Sequence, residues 1–519
     1  VTVQTLSNSN DARIGSPIWW VNRLYERLQD RLTPINLFDD YYRGQFPLPW
    51  LAPQAADDFR RILKMSRTNP IGLVCDAQVE RQRVEGFRIN AETNPTVADA
   101  EADNFNQADS DTWRIWTENN LDAFFDQGLL EAAITGAEYL LVAPNPKNDR
   151  VPNVWVEHSS QCIIEYVPGS TRRDVAAGLK VWQDDWTGDL MATLYLPEGI
   201  YKYKAPGIDQ RGMSLKPRWQ RRGVQGESWP AANPLGIVPI FECPNNPRLL
   251  TGGRSEIEDL IDPMDRIVKT IADRLMTQDY GAFPQKWASG WPEADASGTP
   301  TAPIQVGRDR MITTEVVETK FGQFSAADVN VYVLAKADDV KDIASRSRTP
   351  AQYLLGEMSN VSGETLKASE SGLVSKVLQR NRGQESGLKP AMRLARRLAG
   401  LATPGDAQIE VLWRNPEFRT EGELVSALVQ MRTLGVPEEA LWERWGATPG
   451  EIARWKAMRE AELAAQAAAD ATALLADSFR TGARPANGSA NGNGPNPRPG
   501  GAGVAAGRGA RAGTGSTPR

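Results

Sequence analysis

Histidine is almost absent from this chain: its 519 residues include one, His158, and only three cysteines, Cys75, Cys162 and Cys243, set far apart with no CxxC pair. That poverty excludes a disulfide framework and a zinc site on the usual Cys/His spacings, and it fits a reducing compartment. No apolar run approaches the ~18 residues of a membrane span, and the first residues show no basic-then-apolar signal pattern. Signatures of chemistry are missing too: there is no GxxxxGK[ST] phosphate loop, no GxSxG elbow and no HExxH helix. His158 ends the strand-like run NVWVEHSS, where a lone histidine reads as a satisfied structural residue rather than a base. Acidic pairs such as Asp184/Asp185, Asp338/Asp339 and Glu438/Glu439 read as solvated faces rather than a nuclease centre. No cofactor, metal or catalytic activity is expected.

What is present is a chain of ordinary richness. Its 41% apolar content supports real cores, and its length suits two to four domains or one elongated molecule of several modules. Against 65 acidic residues stand 59 basic ones, a net charge of −6, and no basic block stands out. Each neutralised phosphate adds affinity through counterion release, so an acidic balance is compatible with letting DNA slide past, and equally with any soluble protein.

The patterning is α+β. Ser16 caps a first helix with Pro17 at its first position, and Trp20, Leu24 and Leu28 share one face. Stretches 53–66 and 97–133 read as mostly helical. Between Ala137 and Ile240 come the short bounded runs EYLLV, NVWVEH, CIIEYV, GLKVWQ, MATLYL and GIYKYK, expected strands of an antiparallel meander. Ser255 and Glu258 then form an expected capping box, followed by apolar residues at Ile257, Ile261, Met264, Val268, Ile271 and Leu275. That heptad-like seam predicts a helix of about 25 residues, kinked at Pro263. Strand-like pieces follow at PIQVG and EVVET. A second long helix is expected over 326–346, capped by Ser325 with Asp328. A loop then leads to a third helix after Ser362 with Leu366, Leu373, Val377 and Leu378. Capping boxes at Thr420/Glu423 and Thr448/Glu451 mark further helices. The last 39 residues, with 11 Gly, 5 Arg and no acidic residue, read as a low-complexity tail.

Several landmarks occur in one order over roughly residues 40–450. They are YYRG at Tyr41–Gly44, NPIGLVCDAQVERQRVEGFRI at Asn69–Ile89 and TGAEYLLV at Thr135–Val142. GIVPIFECPNN at Gly236–Asn246 follows, then RSEIEDLIDPMDRIVKTIADRL, then SRTPAQYLLGEMSNVSGETLKASESG. In these the chain resembles the portal proteins of tailed double-stranded DNA bacteriophages, nearest the siphophage-type branch. It departs from that pattern in its Arg/Gly-rich tail and its Trp count.

The resemblance implies a mushroom-shaped ring of twelve copies at one capsid vertex, assembled in the host cytoplasm. The implied layout is a helical and sheet wing (1–253, with 363–416 returning to it) and a stem of long helices (254–280 and 326–346). A small α/β clip (281–325), a tunnel loop (347–362), a helical crown (417–478) and a disordered tail (479–519) complete it. Such a ring docks the terminase, meets the major capsid and scaffolding proteins, passes duplex DNA without sequence specificity, and later holds a head–tail adaptor. Nucleic-acid contacts are expected at Arg346, Arg348, Gln352, Tyr353, Asn360 and Lys367. The seam Ile257, Ile261, Met264, Val268, Ile271 and Leu275 is expected between copies.

Pattern alone leaves other readings open. The seam also suits a helix buried in its own core, the basic residues near 347–362 also suit a solvated surface, and the tail suits a plain terminus as well as a nucleic-acid contact. Another minor head or adaptor protein is one alternative, though it would lack two long helices bracketing a 45-residue insert. A packaging nuclease or ATPase is the other, against which the missing phosphate loop and scarce histidine count.

Overall fold

The computed structural model describes residues 13–49, 60–90, 110–170, 174–206, 217–282, 286–290, 318–323, 328–356, 363–401, 408–417, 421–447 and 449–481. The expected features at PIQVG and EVVET, Ser325, Leu366's side chain, Asn360, Ser362, Thr420, Thr448 and the tail beyond Thr481 lie outside them. Two compact units divide the chain, Val1–Arg454 and Trp455–Arg519.

Helix α1 (Pro17–Tyr42) starts as its sequence predicts: Ser16 Oγ accepts from the Trp19 N–H at 3.3 Å and Pro17 holds the first position, where its missing N–H costs nothing. Leu24 and Leu28 are buried on one face, with Trp20 packed at its margin. That face lies on a five-stranded antiparallel sheet of order β4-β5-β6-β7-β8 (Cys162–Tyr166, Val175–Gln183, Leu190–Leu196, Gly199–Ala205, Gln220–Arg221). The other end of α1 joins a different core through Tyr41, with Phe38 and Tyr42 packed beside it, so one helix spans two layers.

All six strand-like runs are strands, but they divide between two sheets. The second sheet is three-stranded, β3-β2-β9, from Asn153–Glu157, Ala137–Ala143 and Ile240–Pro244. A shared layer of Tyr139, Leu141, Cys162, Ile164, Val238 and Ile240 joins the sheets, and it closes tightly at Gly178, where a side chain would meet Ile240 and Val238 at 2.9 Å. On the far side of β2 pack α3 (Leu121–Thr135) and α7 (Gly363–Leu398), with the ribbon of β1 (Val84–Asn90) and β12 (Gln408–Trp413).

α2 (Pro70–Val79), α4 (Ile261–Ala282) and α5 (Asn330–Ser347) complete a third core. A short ribbon, β10 (Lys286–Ser289) with β11 (Lys320–Gln323), lies in the insert between α4 and α5. α6 (Ala351–Leu355) separates α5 from α7, and α8 (Glu421–Thr433), α9 (Glu438–Trp445) and α10 (Pro449–Thr481) end the described chain. α10 runs three residues past the expected helical limit at 478. On α7, Leu373 and Val377 are buried as their spacing predicts, whereas Leu378 is exposed.

Candidate functional site: the helix pair and its polar junction

The capping box expected at the start of the first stem helix does not form. Ser255 Oγ accepts from the Ile257 N–H at 3.0 Å, two residues on rather than three. Glu258 is turned instead to Arg254, whose guanidinium also reaches Asp259, each at 2.6 Å. Residues Glu258–Leu260 make a 3-10 turn, and α4 begins at Ile261. Pro263 therefore falls in the first turn, where no intrahelical bond is lost, and a single helix runs from Ile261 to Ala282.

The seam is filled by the chain itself. Ile257, Met264, Val268 and Ile271 are buried against Val340 and Ile343 of α5, Ile71 and Val74 of α2, and Ala133 and Ile134 of α3, while Ile261 and Leu275 pack at the edge of the same core. A side chain with no exposed area inside one protomer has none left for a second. Within the protomer the heptad spacing of α4 therefore serves its own chain at Ile257, Met264 and Val268, while Ile261 and Leu275 keep part of their surface open. Outward, Arg266 bridges Asp339 (3.1 Å) and Asp342 (2.7 Å) of α5, and Arg346 binds Asp342 at 3.0 Å. Hydrogen bonds from Arg346 and then Arg266 hold the Asp342 carboxyl below its ordinary range. Exposed pairs of this kind contribute little stability, but they fix the alignment of the two helices. The first turns of α5 leave Val331, Val333 and Leu334 open to solvent.

Where the pair leaves the body of the protein, a buried polar junction ties it down. Glu256, just before α4, receives Lys376 Nζ at 3.0 Å, Arg380 Nε at 2.5 Å and Asn245 Nδ2 at 2.8 Å. Lys376 also donates to the Ser347 carbonyl at the end of α5 (3.2 Å), and Arg380 to Asn246 (2.9 Å), whose backbone is left-handed at φ 45°. Gln78 of α2 reaches Asn245 (3.2 Å), and Gln82 reaches Asn381 of α7 (2.9 Å). One lysine and one carboxylate thus lock both long helices to α7 and to the Pro-Asn-Asn corner. Burial alone would raise the Glu256 pKa, but Lys376 and Arg380 outweigh it and hold it at about 2. Sequence reading noted the corner and missed the junction. Its signal was there: Lys376 and Arg380 sit four apart on the apolar face of α7, in line with the buried Leu373 and Val377.

Of the residues expected to meet nucleic acid, four have partners within the chain: Arg346, Gln352, Tyr353 and Lys367. Arg346 serves Asp342. Arg348 is the left-handed cap of α5, at φ 55°. Gln352 donates to Ser369 Oγ at 3.1 Å. Tyr353 donates to Glu370, accepts from Arg81 at 2.9 Å, and rests half-buried on Ala77, Leu373 and Val377. Lys367 is paired with Glu423 of α8 at 2.7 Å. Asn360 lies outside the described residues. The first half of the expected loop is a helical turn between Pro350 and Gly356 (φ 68°). His158 bonds Glu131 Oε2 (2.9 Å) and Ser160 Oγ (2.6 Å). Among the described residues no cluster of three or more His, Cys, Asp or Glu could hold a metal ion, and no helix is long and apolar enough to cross a membrane.

The fold is a mixed one of helices and antiparallel sheets, with a helix pair bracketing an insert, and the comparisons give its family. Residues 23–464 match the family described as "Phage portal protein, SPP1 Gp6-like", and the chain belongs to it. It is 28% identical over 404 residues to the portal protein of Mycobacterium phage D29, covering 74% of this chain and 77% of that one. It is also 28% identical over 375 residues to the portal protein of Mycobacterium phage L5, covering 69% and 71%. A chain from the neck of an empty GTA particle, computed with C6 symmetry, aligns at TM-score 0.38 and 15% identity, over 78% of this chain and 96% of its own. Portal proteins are structural components of the virion, at the portal vertex of the capsid.

Proposed function

We propose that twelve copies of this chain form the ring through which double-stranded DNA enters the phage head and later leaves it. The ring docks the terminase during packaging and the head–tail adaptor afterwards, and it sits among the major capsid and scaffolding proteins. α4 and α5 are its stem, the 281–325 insert its clip, 347–362 the tunnel segment, and 417–478 the crown. Chemistry belongs to the motor and not to this chain. The observation that carries the reading is the family match over 23–464, which includes the anchored helix pair. Copies meet along the exposed Val331, Val333 and Leu334 rather than along the buried seam. A heterologous contact of this kind closes into a ring when its rotation permits.

Negative-stain microscopy and light scattering of the purified chain test this reading. Closed rings with a central channel are expected. A monomer at every micromolar concentration and salt would overturn it.

A further inference from the structure

The basic residues of this acidic chain are not evenly spread. The described residues of 199–206 and 217–223 carry five cations, Lys202, Lys204, Arg218, Arg221 and Arg222, and no carboxylate. They fall on β7, on the edge strand β8 and beside it. Register fixes which of them share a face, because residues directly opposite in an antiparallel pair project to the same side. Lys180 of β5 lies opposite Thr193 of β6, and Thr193 opposite Lys202 of β7. Arg222, whose N–H donates to the Lys202 carbonyl, extends the row and reaches Thr193 Oγ1 at 3.4 Å. The next row along the strands is Trp182, Met191, Lys204 and Gln220. The Arg222 guanidinium lies over Trp182, 5.2 Å from the ring centre. On the opposite face Arg221, paired with Tyr203, stacks over Trp229 at 4.1 Å.

Two of these cations already have partners: Lys202 binds Glu227, and Lys180 binds Glu157. Asp184, whose charge is felt at Arg222, is committed to the Trp186 N–H (3.0 Å) and the Thr187 hydroxyl (3.1 Å). Lys204, Arg218, Arg221 and Arg222 have no ion-pair partner among the described residues. Stacking a guanidinium on an indole holds its plane, and at Arg221 it leaves the N–H fork available to a phosphate, whereas Arg222 gives one N–H to Thr193 and offers chiefly its charge.

The geometry points to this edge of the five-stranded sheet as a site for the phosphodiester backbone of duplex DNA, separate from the 347–362 segment. An acidic peptide is the rival anion. Its usual route onto a sheet edge is to add a strand, and β8, two residues long, offers almost no backbone for that. Phosphate contact needs only the cations. With a net charge of −6, general attraction to DNA is not available to the chain, so binding must be local.

The test is fluorescence anisotropy of the full chain with a short labelled duplex of mixed sequence, titrated over salt. Each phosphate contact gives a slope of about −0.9 in log K against log salt. The wild type should bind at low salt with a slope of about −3 to −4 for the four cations that have no ion-pair partner among the described residues. Lys204→Gln with Arg218→Gln should flatten it by about 2, and Arg221→Gln by about 1 more, whereas Arg221→Lys should keep it. Lys269→Gln, whose lysine is paired with Asp273 on α4, should change nothing. Thermal melts identify any variant whose fold has changed; Arg221→Lys against Arg221→Gln then decides at one position. Equal slopes in wild type and all variants would overturn the site. So would displacement by polyglutamate as effective, charge for charge, as displacement by unlabelled DNA, because that would make the partner an acidic protein. Light scattering on the same samples reports the ring separately, so loss of this site and failure of the ring reading are distinguishable.

Discussion

A methyl group on Gly128 of α3 would lie 1.5 Å from Oε2 of Glu138 on β2, and 2.6 Å from Cγ1 of Val156. The glycine is the space into which a fully buried carboxyl folds. Neither oxygen of Glu138 has a hydrogen-bond partner. Burial first, then the nearby charges of Glu131 and Asp126, push its pKa well above the carboxylate range, so the core holds it as a neutral acid.

Gly128→Ala should therefore destabilise the protein by about 1–3 kcal/mol, the cost of overpacking a filled core. Combining it with Glu138→Ala should recover part of that loss, because the two side chains compete for one volume and their effects do not add. Urea melts of the two single variants and the double variant measure this. Strict additivity would show that the clash is absorbed elsewhere.

Glu138 also sets a pH dependence of known sign. Its folded pKa lies above its unfolded value of about 4.5, so below that pH both states are protonated and nothing is lost. As pH rises past the unfolded value, the unfolded chain ionises and the folded one does not. Stability then falls, by about 1.4 kcal/mol per pH unit for one proton. Glu138→Gln removes that component. The difference in unfolding free energy between the Glu138→Gln variant and wild type, measured from pH 5 to pH 8, should grow in the variant's favour; a flat difference would mean that the carboxyl is solvated.

Glu256 has the opposite sign. Its folded value of about 2 lies below its unfolded value, so its contribution is full above about pH 4.5 and is lost as pH falls toward 2. The shift corresponds to roughly 3 kcal/mol. Glu256→Gln leaves Lys376 and Arg380 buried without a counter-charge and should destabilise by about 3–5 kcal/mol at neutral pH. Replacing Lys376 by Met in the same chain should restore part of it. Thermal melts at pH 7 and pH 3 check both statements, since the gap between wild type and Glu256→Gln should narrow at the lower pH.

Local signals were legible where local physics decides. Ser16 and Pro17 set the start of α1, and six bounded β-branched runs became six strands, because caps and alternation act within a few residues. The division of those strands between two sheets was not legible, since it depends on Gly178 admitting Val238 and Ile240 from far along the chain. The same holds for α7. Substituting Gly387 would bring a side chain within 2.3 Å of the Glu242 carbonyl, and Gly383 within 2.6 Å of the Pro244 carbonyl, so this glycine pair lets helix and β9 meet backbone to backbone. A four-residue glycine spacing in a long helix was the available signal. The seam on α4 was read correctly as apolar, but a heptad does not say whether its partner belongs to the same chain. The intrachain partners of Arg346, Gln352, Tyr353 and Lys367 were not legible either, because Asp342, Ser369, Glu370 and Glu423 sit on other turns or other helices.

That ambiguity about α4 and α5 can be resolved by two substitutions of the same kind. Val268→Asp puts an unpaired charge into the core formed by α4, α5, α2 and α3, so it should cost several kcal/mol and lower the melting temperature of the chain itself. Leu334→Asp changes a side chain that is 71% exposed in the protomer, so the melt of the isolated chain should hardly move. If copies meet along Val331, Val333 and Leu334, the same charge is buried only on assembly. Light scattering should then show folded monomers in place of rings. The reverse pattern, a well-folded Val268→Asp chain that fails only to assemble, would return the seam to the space between copies. Rings from Leu334→Asp indistinguishable from wild type would remove the exposed strip from the interface.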